Sequence, residues 1–353
     1  MLTRNPIRRS TRLGAALIGS ALASGLLAAA CTSTGSSTSS QASASCPVTG
    51  VANESLPSVV TIQAGSGSSS GTGSGTIIRS DGYILTNDHV VAPAVGGGSL
   101  SVVFDNGNSA NATITGRDPL TDLAVIRVSG ETGLRTISFG NSSSVRIGQQ
   151  VVALGAPLGL SSTVTSGIAS ALDRTVAVPS ESVQSALLID AIQTDAAINP
   201  GNSGGALVDC SGRLIGVPTA GATVSGESAA GSIGLGFAIP VDHAKTVSDE
   251  IISTGRVTYS YLGLQARPLS ANPGATNSGA GGVQVTAVVP GGPVDAAGLR
   301  AGDVITSIDG RPARTTDQLV GITLSRRPGD RVEIGYQRQG RQATTTVVLG
   351  AQP

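Results

Sequence analysis

Ser203 has glycine at −2, +1 and +2, in the stretch Asp195-Ala196-Ala197-Ile198-Asn199-Pro200-Gly201-Asn202-Ser203-Gly204-Gly205-Ala206-Leu207-Val208. Such glycines permit backbone angles closed to residues with a Cβ, and they let another backbone come close. A nucleophilic serine needs both. Its oxygen must stand out of a tight turn, and N–H groups must converge where an oxyanion forms during acyl transfer. A Gly/Asn/Ser cluster is equally the mark of a plain hairpin, so this stretch alone does not select an enzyme. A hydroxyl is also a poor nucleophile until a base within hydrogen-bond reach takes its proton. The chain must supply that base elsewhere.

It holds only two histidines, His89 and His243. His89 follows an apolar strand pattern in Tyr83-Ile84-Leu85-Thr86-Asn87-Asp88-His89-Val90-Val91. An acid precedes a second apolar run in Asp118-Pro119-Leu120-Thr121-Asp122-Leu123-Ala124-Val125-Ile126. His, then Asp, then Ser is the chain order of the chymotrypsin-type triad, whereas α/β-hydrolases run Ser–Asp–His and subtilisins Asp–His–Ser. The strings Thr-Asn-Asp-His-Val, Thr-Asp-Leu-Ala-Val and Asn-Pro-Gly-Asn-Ser-Gly-Gly, in that order, resemble the HtrA/Deg family of trypsin-like serine proteases. The resemblance runs from about Val51 to Leu349.

It implies roles for each residue. Ser203 is the nucleophile, His89 the base that later protonates the leaving amine, and Asp122 the group that fixes the imidazole. The N–H groups of Gly201 and Ser203 form the oxyanion hole. Asp118 competes with Asp122; Asp122 is preferred because it directly precedes the strand, and Asp118-Pro119 reads as turn chemistry. The specificity pocket falls to Ala197, Ile198 and the run Val217 to Ala220, Thr219 among them. None is charged, so small or medium apolar side chains are expected there. Pro218 stands where the family often has Asn, and it cannot donate to a bound peptide strand. Asn202 stands where digestive relatives carry an Asp that pairs with a freed N-terminus, so zymogen-style activation is not expected. No cofactor and no metal are expected. His243 reads as a solvent-facing or capping histidine.

These residues need a scaffold, and at 353 residues the chain has room for two or three domains. Glycine is abundant at 49, and there are 4 Tyr, 3 Phe and no Trp. Many short apolar runs separated by Gly, Ser and Asn predict a mainly β chain. Strands are expected at Val59–Gln63, Gly75–Ile78, Tyr83–Thr86, Ser101–Phe104, Ala112–Asp118, Leu123–Arg127, Gln150–Gly155, Thr163–Ala171, Ala206–Val208 and Arg213–Val217, with Gly65 to Gly75 as a loop. The resemblance implies that they build a chymotrypsin-like double β-barrel over 51–257. Val241 to Thr254 has helical spacing, with Asp242 as its cap and Gly255 at its end.

Residues 258–353 resemble a β-rich PDZ domain with two short helices, through Gly298-Leu299-Arg300-Ala301-Gly302-Asp303-Val304-Ile305. Strands are expected at Val283–Val289, Val304–Ile308, Arg331–Gln337 and Thr344–Leu349, and helices at Pro293–Ala297 and, capped by Thr316, Asp317–Ser325. Arg267 to Gly282 reads as a mobile loop. The resemblance places a peptide site at Tyr261, Leu262, Gly263 and Leu264, whose N–H groups would hold a C-terminal carboxylate beside the helix near Leu319 to Thr323.

The N-terminus has another character. Arg4, Arg8, Arg9 and Arg12 precede an uncharged run from Leu13 to Ala30, the form of a signal peptide or signal anchor over 1–30. Ala28-Ala29-Ala30-Cys31 resembles a lipobox, departing at −3, and makes Cys31 a lipidation candidate. Residues 31–50 read as a Ser/Thr-rich tether. With three cysteines, one solution lipidates Cys31 and pairs Cys46 with Cys210; the other leaves Cys46 and Cys210 as small buried hydrophobes. Formal net charge is zero, so nucleic acid is not an expected partner.

The expected function is a serine endopeptidase of the bacterial cell envelope, on the outer side of the cytoplasmic membrane or in the periplasm. It would degrade unfolded or damaged proteins and be regulated by hydrophobic C-terminal peptides at its PDZ domain. The alternative is an envelope chaperone or peptide-binding protein with a resting protease site. An esterase fits less well, because the chain order His, Asp, Ser is not the Ser–Asp–His order of the α/β-hydrolases. Family members often form homotrimers on aromatic N-terminal contacts, and Val48 to Pro57 has no aromatic.

Overall fold

The computed structural model describes residues 46–67, 69–156, 163–180, 182–183, 185–219, 232–269 and 281–352. The basic and apolar N-terminal segments, Cys31, residues 31–45 of the tether, Ala220 of the pocket run and 270–280 of the loop expected at Arg267 to Gly282 lie outside them. Among the described residues no helix is long and apolar enough to cross a membrane.

Apolar runs uninterrupted by polar residues become strands buried on both faces. β1 (Val59–Ser66), β2 (Ser69–Ile77), β3 (Tyr83–Thr86), β4 (Ser99–Val103), β5 (Ser109–Asp118) and β6 (Leu123–Val128) close into a barrel in the order β1-β2-β3-β6-β5-β4. β7 (Gln150–Gly155), β8 (Thr163–Pro179), β9 (Ser185–Thr194), β10 (Ala206–Val208), β11 (Leu214–Thr219) and β12 (Gly236–Pro240) close a second, in the order β10-β11-β12-β9-β8-β7. This is the expected chymotrypsin-like pair. Side chains alternate across a strand, so one run serves two cores. In β6, Ala124 and Ile126 fill the first barrel, while Leu123 and Val125 join the apolar layer between the barrels. In β7, Val151 and Ala153 fill the second barrel, while Val152 and Leu154 face the same layer.

Three short or early helices attach to the barrels: α1 (Val48–Ser55), α2 (Asp88–Val91) and α3 (Val241–Thr254). α3 packs Val241, Ala244, Val247 and Ile251 into the inter-barrel layer and ends at left-handed Gly255, φ 79°. Its N-cap is Pro240, not Asp242. The Asp242 carboxylate instead accepts from the Ser143 N–H at 3.1 Å. β9 and β12 are absent from the sequence expectation. β9 is bent by Asp190 at φ 51°, and β12 is bounded by glycine and proline, so neither shows strand periodicity. Gly65 to Gly75 is a hairpin rather than a loop, with pairing continued to Ser66↔Ser69. Two of its glycines answer to crowding: a Cβ on Gly73 would lie 2.6 Å from Val90 Cγ2, and one on Gly75 2.6 Å from Ile84 Cγ2.

The remaining chain forms β13 (Ser260–Tyr261), β14 (Leu264–Pro268), β15 (Val283–Val288), α4 (Pro293–Ala296), β16 (Val304–Ile308), β17 (Arg311–Pro312), α5 (Thr316–Ser325), β18 (Arg331–Arg338), β19 (Arg341–Val348) and β20 (Gly350–Ala351). β14-β15-β16-β18-β19 make the main sheet, with β17 paired to β16. Val283, Val285, Ile305, Leu319, Val332, Ile334 and Val347 fill its core. α5 is capped by Thr315 through a reciprocal box with Gln318, one residue before the expected Thr316.

Cys46 and Cys210 are joined in a disulfide, with Cα atoms 5.1 Å apart at a sequence separation of 164. The bond leads into α1, and Ser55 Oγ donates to the Gly212 carbonyl at 3.3 Å. A cross-link over so long a loop removes much freedom from the unfolded chain. Cys46→Ser is therefore expected to lower the unfolding free energy by about 2–4 kcal/mol. Denaturant titration in non-reducing buffer measures this; an unchanged midpoint would deny the bond any such role.

Candidate active site

β3 delivers the histidine. Thr86 ends the strand, Asn87 continues extended at φ −84° and ψ 153°, and the chain turns into α2 at Asp88-His89. Asn87 does not cap the helix with its side chain. Its Nδ2 donates to the Asp122 carbonyl at 2.7 Å. Asp88 turns elsewhere, to Arg117, whose Nε is 2.7 Å from its carboxylate. Burial pushes the Asp88 carboxyl above its usual range, and Arg117 pulls against that shift.

The turn from β5 to β6 delivers the acid. His89 Nδ1 lies 2.9 Å from both Asp122 oxygens, and the His89 N–H donates to Oδ1 at 3.1 Å. Thr219 Oγ1 donates to Oδ2 at 2.8 Å. An ionised carboxylate only accepts, so in this contact the ring donates from Nδ1. Asp122 sits at φ 58°, a left-handed conformation uncommon outside glycine.

The serine turn is laid against the same residues. A Cβ on Gly204, at φ 81°, would lie 2.2 Å from Thr86 Oγ1 and 3.1 Å from the Asn87 nitrogen, so only glycine fits. The Ser74 N–H donates to the Ser203 carbonyl at 2.8 Å. Ser74 Oγ donates to the Gly201 carbonyl at 2.6 Å while accepting from the Ala156 N–H at 2.8 Å. Asn202 N–H to Asn199 carbonyl, and Gly205 N–H to Asn202 carbonyl, each at 3.0 Å, close the turn. Neither the Gly201 nor the Ser203 N–H donates to a protein acceptor among the described residues. The side-chain amide of Asn202 donates to the Ala197 carbonyl at 3.3 Å.

Of the expected pocket residues, Ile198 is buried and Ala197 half-buried. Thr219 is buried, and its hydroxyl is turned to Asp122. The sequence reading also misses Ser74, Asn87 and Tyr259. Each acts through a hydrogen bond to a residue distant in sequence, and no local pattern marks such a bond.

In the C-terminal sheet, Tyr261 pairs with Gly350, Leu262 is buried, Gly263 is left-handed at φ 76°, and Leu264 opens β14. The carbonyls of Leu262 and Gly263 accept from Val294 and Val289. Their N–H groups find no acceptor among the described residues. Among the described residues β14 pairs with β15 alone, so its other edge has no strand partner there. Leu264 and Ile322 pack on the core around Leu262 and Leu319.

His243 is not the solvent-facing or capping residue expected. It is half-buried, and its Nε2 is closed off with no partner among the described residues. Burial first, then the Arg327 cation, hold its pKa down to about 4. It lines a cavity of about 790 Å³ with Glu250, Tyr259, Leu324 and Arg327. None of His89, Asp122 and Ser203 lines that cavity.

Residues 73–217 match the trypsin-like peptidase domain family, and residues 260–349 match the PDZ domain family. The serine protease PepD of Mycobacterium tuberculosis is 44% identical over 310 residues, covering 85% of this chain and 65% of that protein. A probable periplasmic serine endoprotease, DegP-like, of Bartonella henselae is 38% identical over 283 residues, 80% of this chain and 53% of the relative. The chain thus spans between half and two thirds of the length of these curated relatives. A solved structure of the HtrA-type protease AlgW with a tripeptide superposes with a TM-score of 0.68 at 36% identity, over 87% of this chain and 97% of that one.

Proposed function

Because the chain belongs to the HtrA family of trypsin-like serine proteases, we propose that it is a serine endopeptidase in which His89, Asp122 and Ser203 act as a triad. The carrying observation is the contact of His89 Nδ1 with both Asp122 oxygens at 2.9 Å, beside a serine turn that only glycine can complete. Asp122 holds the ring, so that His89 Nε2 takes the Ser203 proton as Oγ attacks a peptide carbonyl. The resulting oxyanion is received by the Gly201 and Ser203 N–H groups. Ser74 contributes by fixing the Gly201 carbonyl, which sets the direction of the neighbouring amides. Ile198 and Ala197 border an uncharged pocket that suits small or medium apolar side chains.

The proposed substrates are unfolded or damaged proteins in the cell envelope. Relatives are named periplasmic endoproteases, and the basic-then-apolar N-terminus supports export. Domain division at 257/258, and anchoring through Cys31 or through a retained signal, belong to the same reading. The experiment is digestion of casein, an unfolded protein, by purified protein. Cleavage of casein with folded proteins spared is the expected result. Suppression of aggregation without any cleavage would instead favour the chaperone reading.

The Leu262 and Gly263 N–H groups, beside the β14 edge that has no strand partner among the described residues, support binding of a hydrophobic C-terminus as an added strand. A peptide that binds the active arrangement more tightly shifts the population toward it. Cleavage rate should therefore rise with the concentration of a hydrophobic C-terminal peptide. Leu264→Glu should abolish that rise and leave the unstimulated rate in place. Peptides that bind while the rate stays flat would reduce the domain to a tether.

A further inference from the structure

Asp118, the acid that competes with Asp122 in sequence, does not touch His89 in the bonds that hold that residue. It ends β5 with 3% of its surface exposed. Its carboxylate accepts from the hydroxyls of Thr121 and Tyr259, and from the Leu120 N–H at 3.3 Å. Burial raises its pKa, and the two hydroxyls and the amide oppose the rise. A buried carboxylate is retained at such cost only with partners that favour its charge.

The partners matter for where they sit. Thr121 immediately precedes Asp122, and Leu120 precedes Thr121. Asp122 itself is held at φ 58°, a conformation that persists only when its surroundings enforce it. The Leu120 carbonyl accepts from Leu187 of β9 at 2.8 Å, which ties the turn to the second barrel. Tyr259 lies in the connector between α3 and β13. Its ring packs with Leu187 and with Leu324 of α5, so it belongs to the contact between barrels and PDZ sheet. One carboxylate thus joins the connector to the turn that presents Asp122.

We infer that Asp118 is a positioning residue for Asp122, and that Tyr259, by holding Asp118, couples the placement of the PDZ domain to the alignment of the His89–Asp122 pair. The inference rests on the triad reading for its effect on rate, but its structural half does not. When the connector shifts, Asp118 loses a hydroxyl partner, the 118–122 turn relaxes, and the Nδ1–H bond to Asp122 lengthens. Nothing in this route passes through the Gly201 amide, so it acts on the base rather than on the oxyanion hole.

The test uses the full chain and two near-isosteric variants, Tyr259→Phe and Thr121→Val. Each keeps its packing and removes one hydroxyl from Asp118. The first readout is the His89 Nδ1–H proton resonance, taken in a Ser203→Ala background. Both variants should move it upfield, toward a weaker hydrogen bond. The second is kcat and KM on a short peptide. A charge-assisted hydrogen bond lost from the support should lower kcat about tenfold with KM little changed. Arg327→Gln is the control, because it breaks the 2.5 Å Arg327–Glu250 pair between PDZ domain and α3 without touching Asp118. It should leave both readouts in place. An unmoved Nδ1–H resonance in folded Tyr259→Phe and Thr121→Val overturns the inference. So does an equal fall in kcat from Arg327→Gln, which would assign the effect to domain docking. Failure of the triad reading is distinct: the resonance would still move, with no peptidase activity in the wild type to lower.

Discussion

Ser203→Ala removes proteolysis to the limit of detection, and His89→Ala does nearly the same. Triad members act as a unit, so each single loss is expected to cost about 10⁶-fold in kcat, and the double variant no more. The fold should survive both changes. The first deletes one oxygen, while Ser203 and Gly204 are tied to their neighbours through backbone: Ser74 N–H to the Ser203 carbonyl at 2.8 Å, and Gly204 N–H to the Pro218 carbonyl at 2.9 Å. The second removes a ring whose side chain is 33% exposed, leaving α2 and its backbone contacts. Casein cleavage and thermal unfolding, measured on the same preparations, check the two halves together. Near-normal cleavage by either folded variant would defeat the assignment. An unfolded Ser203→Ala protein would show that the hydroxyl carries structural weight that its surroundings do not suggest.

What could be read in advance divides along a physical line. Strands buried on both faces announce themselves as continuous apolar runs, as Leu123 to Ile126 and Val151 to Leu154 do, because both faces meet a core. β9 and β12 escape notice for the opposite reason: a bulge at Asp190 interrupts one, and Gly236 and Pro240 bound the other as if it were a turn. The glycines around Ser203 are legible as a set, since several at close spacing imply special backbone angles. Gly73 and Gly75 look the same in sequence but answer to the close approach of Val90 and Ile84. Composition cannot separate a flexible loop from a tightly packed hairpin.

The choice between two aspartates four residues apart is of another kind. Each precedes or ends a strand, and either could face a histidine. Contact decides it: Asp122 meets His89, while Asp118 turns into the connector and meets Tyr259, 141 residues later in the chain. Thr219 shows the same limit. Every residue of β11 is buried, so no alternation tells which way its hydroxyl turns. It could be assigned to a pocket wall by position, and only the fold puts it on the carboxylate.

Asp122→Asn is expected to lower kcat by about 10⁴-fold, more than loss of charge alone would suggest. The reason lies in the donors that surround the carboxylate. The His89 N–H, at 3.1 Å from Oδ1, is an obligate donor, so the amide oxygen must take that position. The amide NH₂ then takes the place of Oδ2, beside Nδ1 and the Thr219 hydroxyl. Thr219 can rotate to accept, but the second N–H points at Nδ1. To avoid two donors meeting, the ring releases its proton from Nδ1 and carries it on Nε2. An Nε2–H faces the serine with a donor and cannot take its proton. The ring thus stays in place and is held in the wrong tautomer. KM should change little, because the pocket and the oxyanion turn are untouched, and thermal stability should stay close to that of the parent. Steady-state kinetics on a short peptide, with ¹⁵N shifts of the His89 ring nitrogens, test rate and tautomer separately. Retention of activity within tenfold would remove Asp122 from the triad. A large loss of rate with Nδ1 still protonated would leave Asp122 in place and reject the tautomer as the cause.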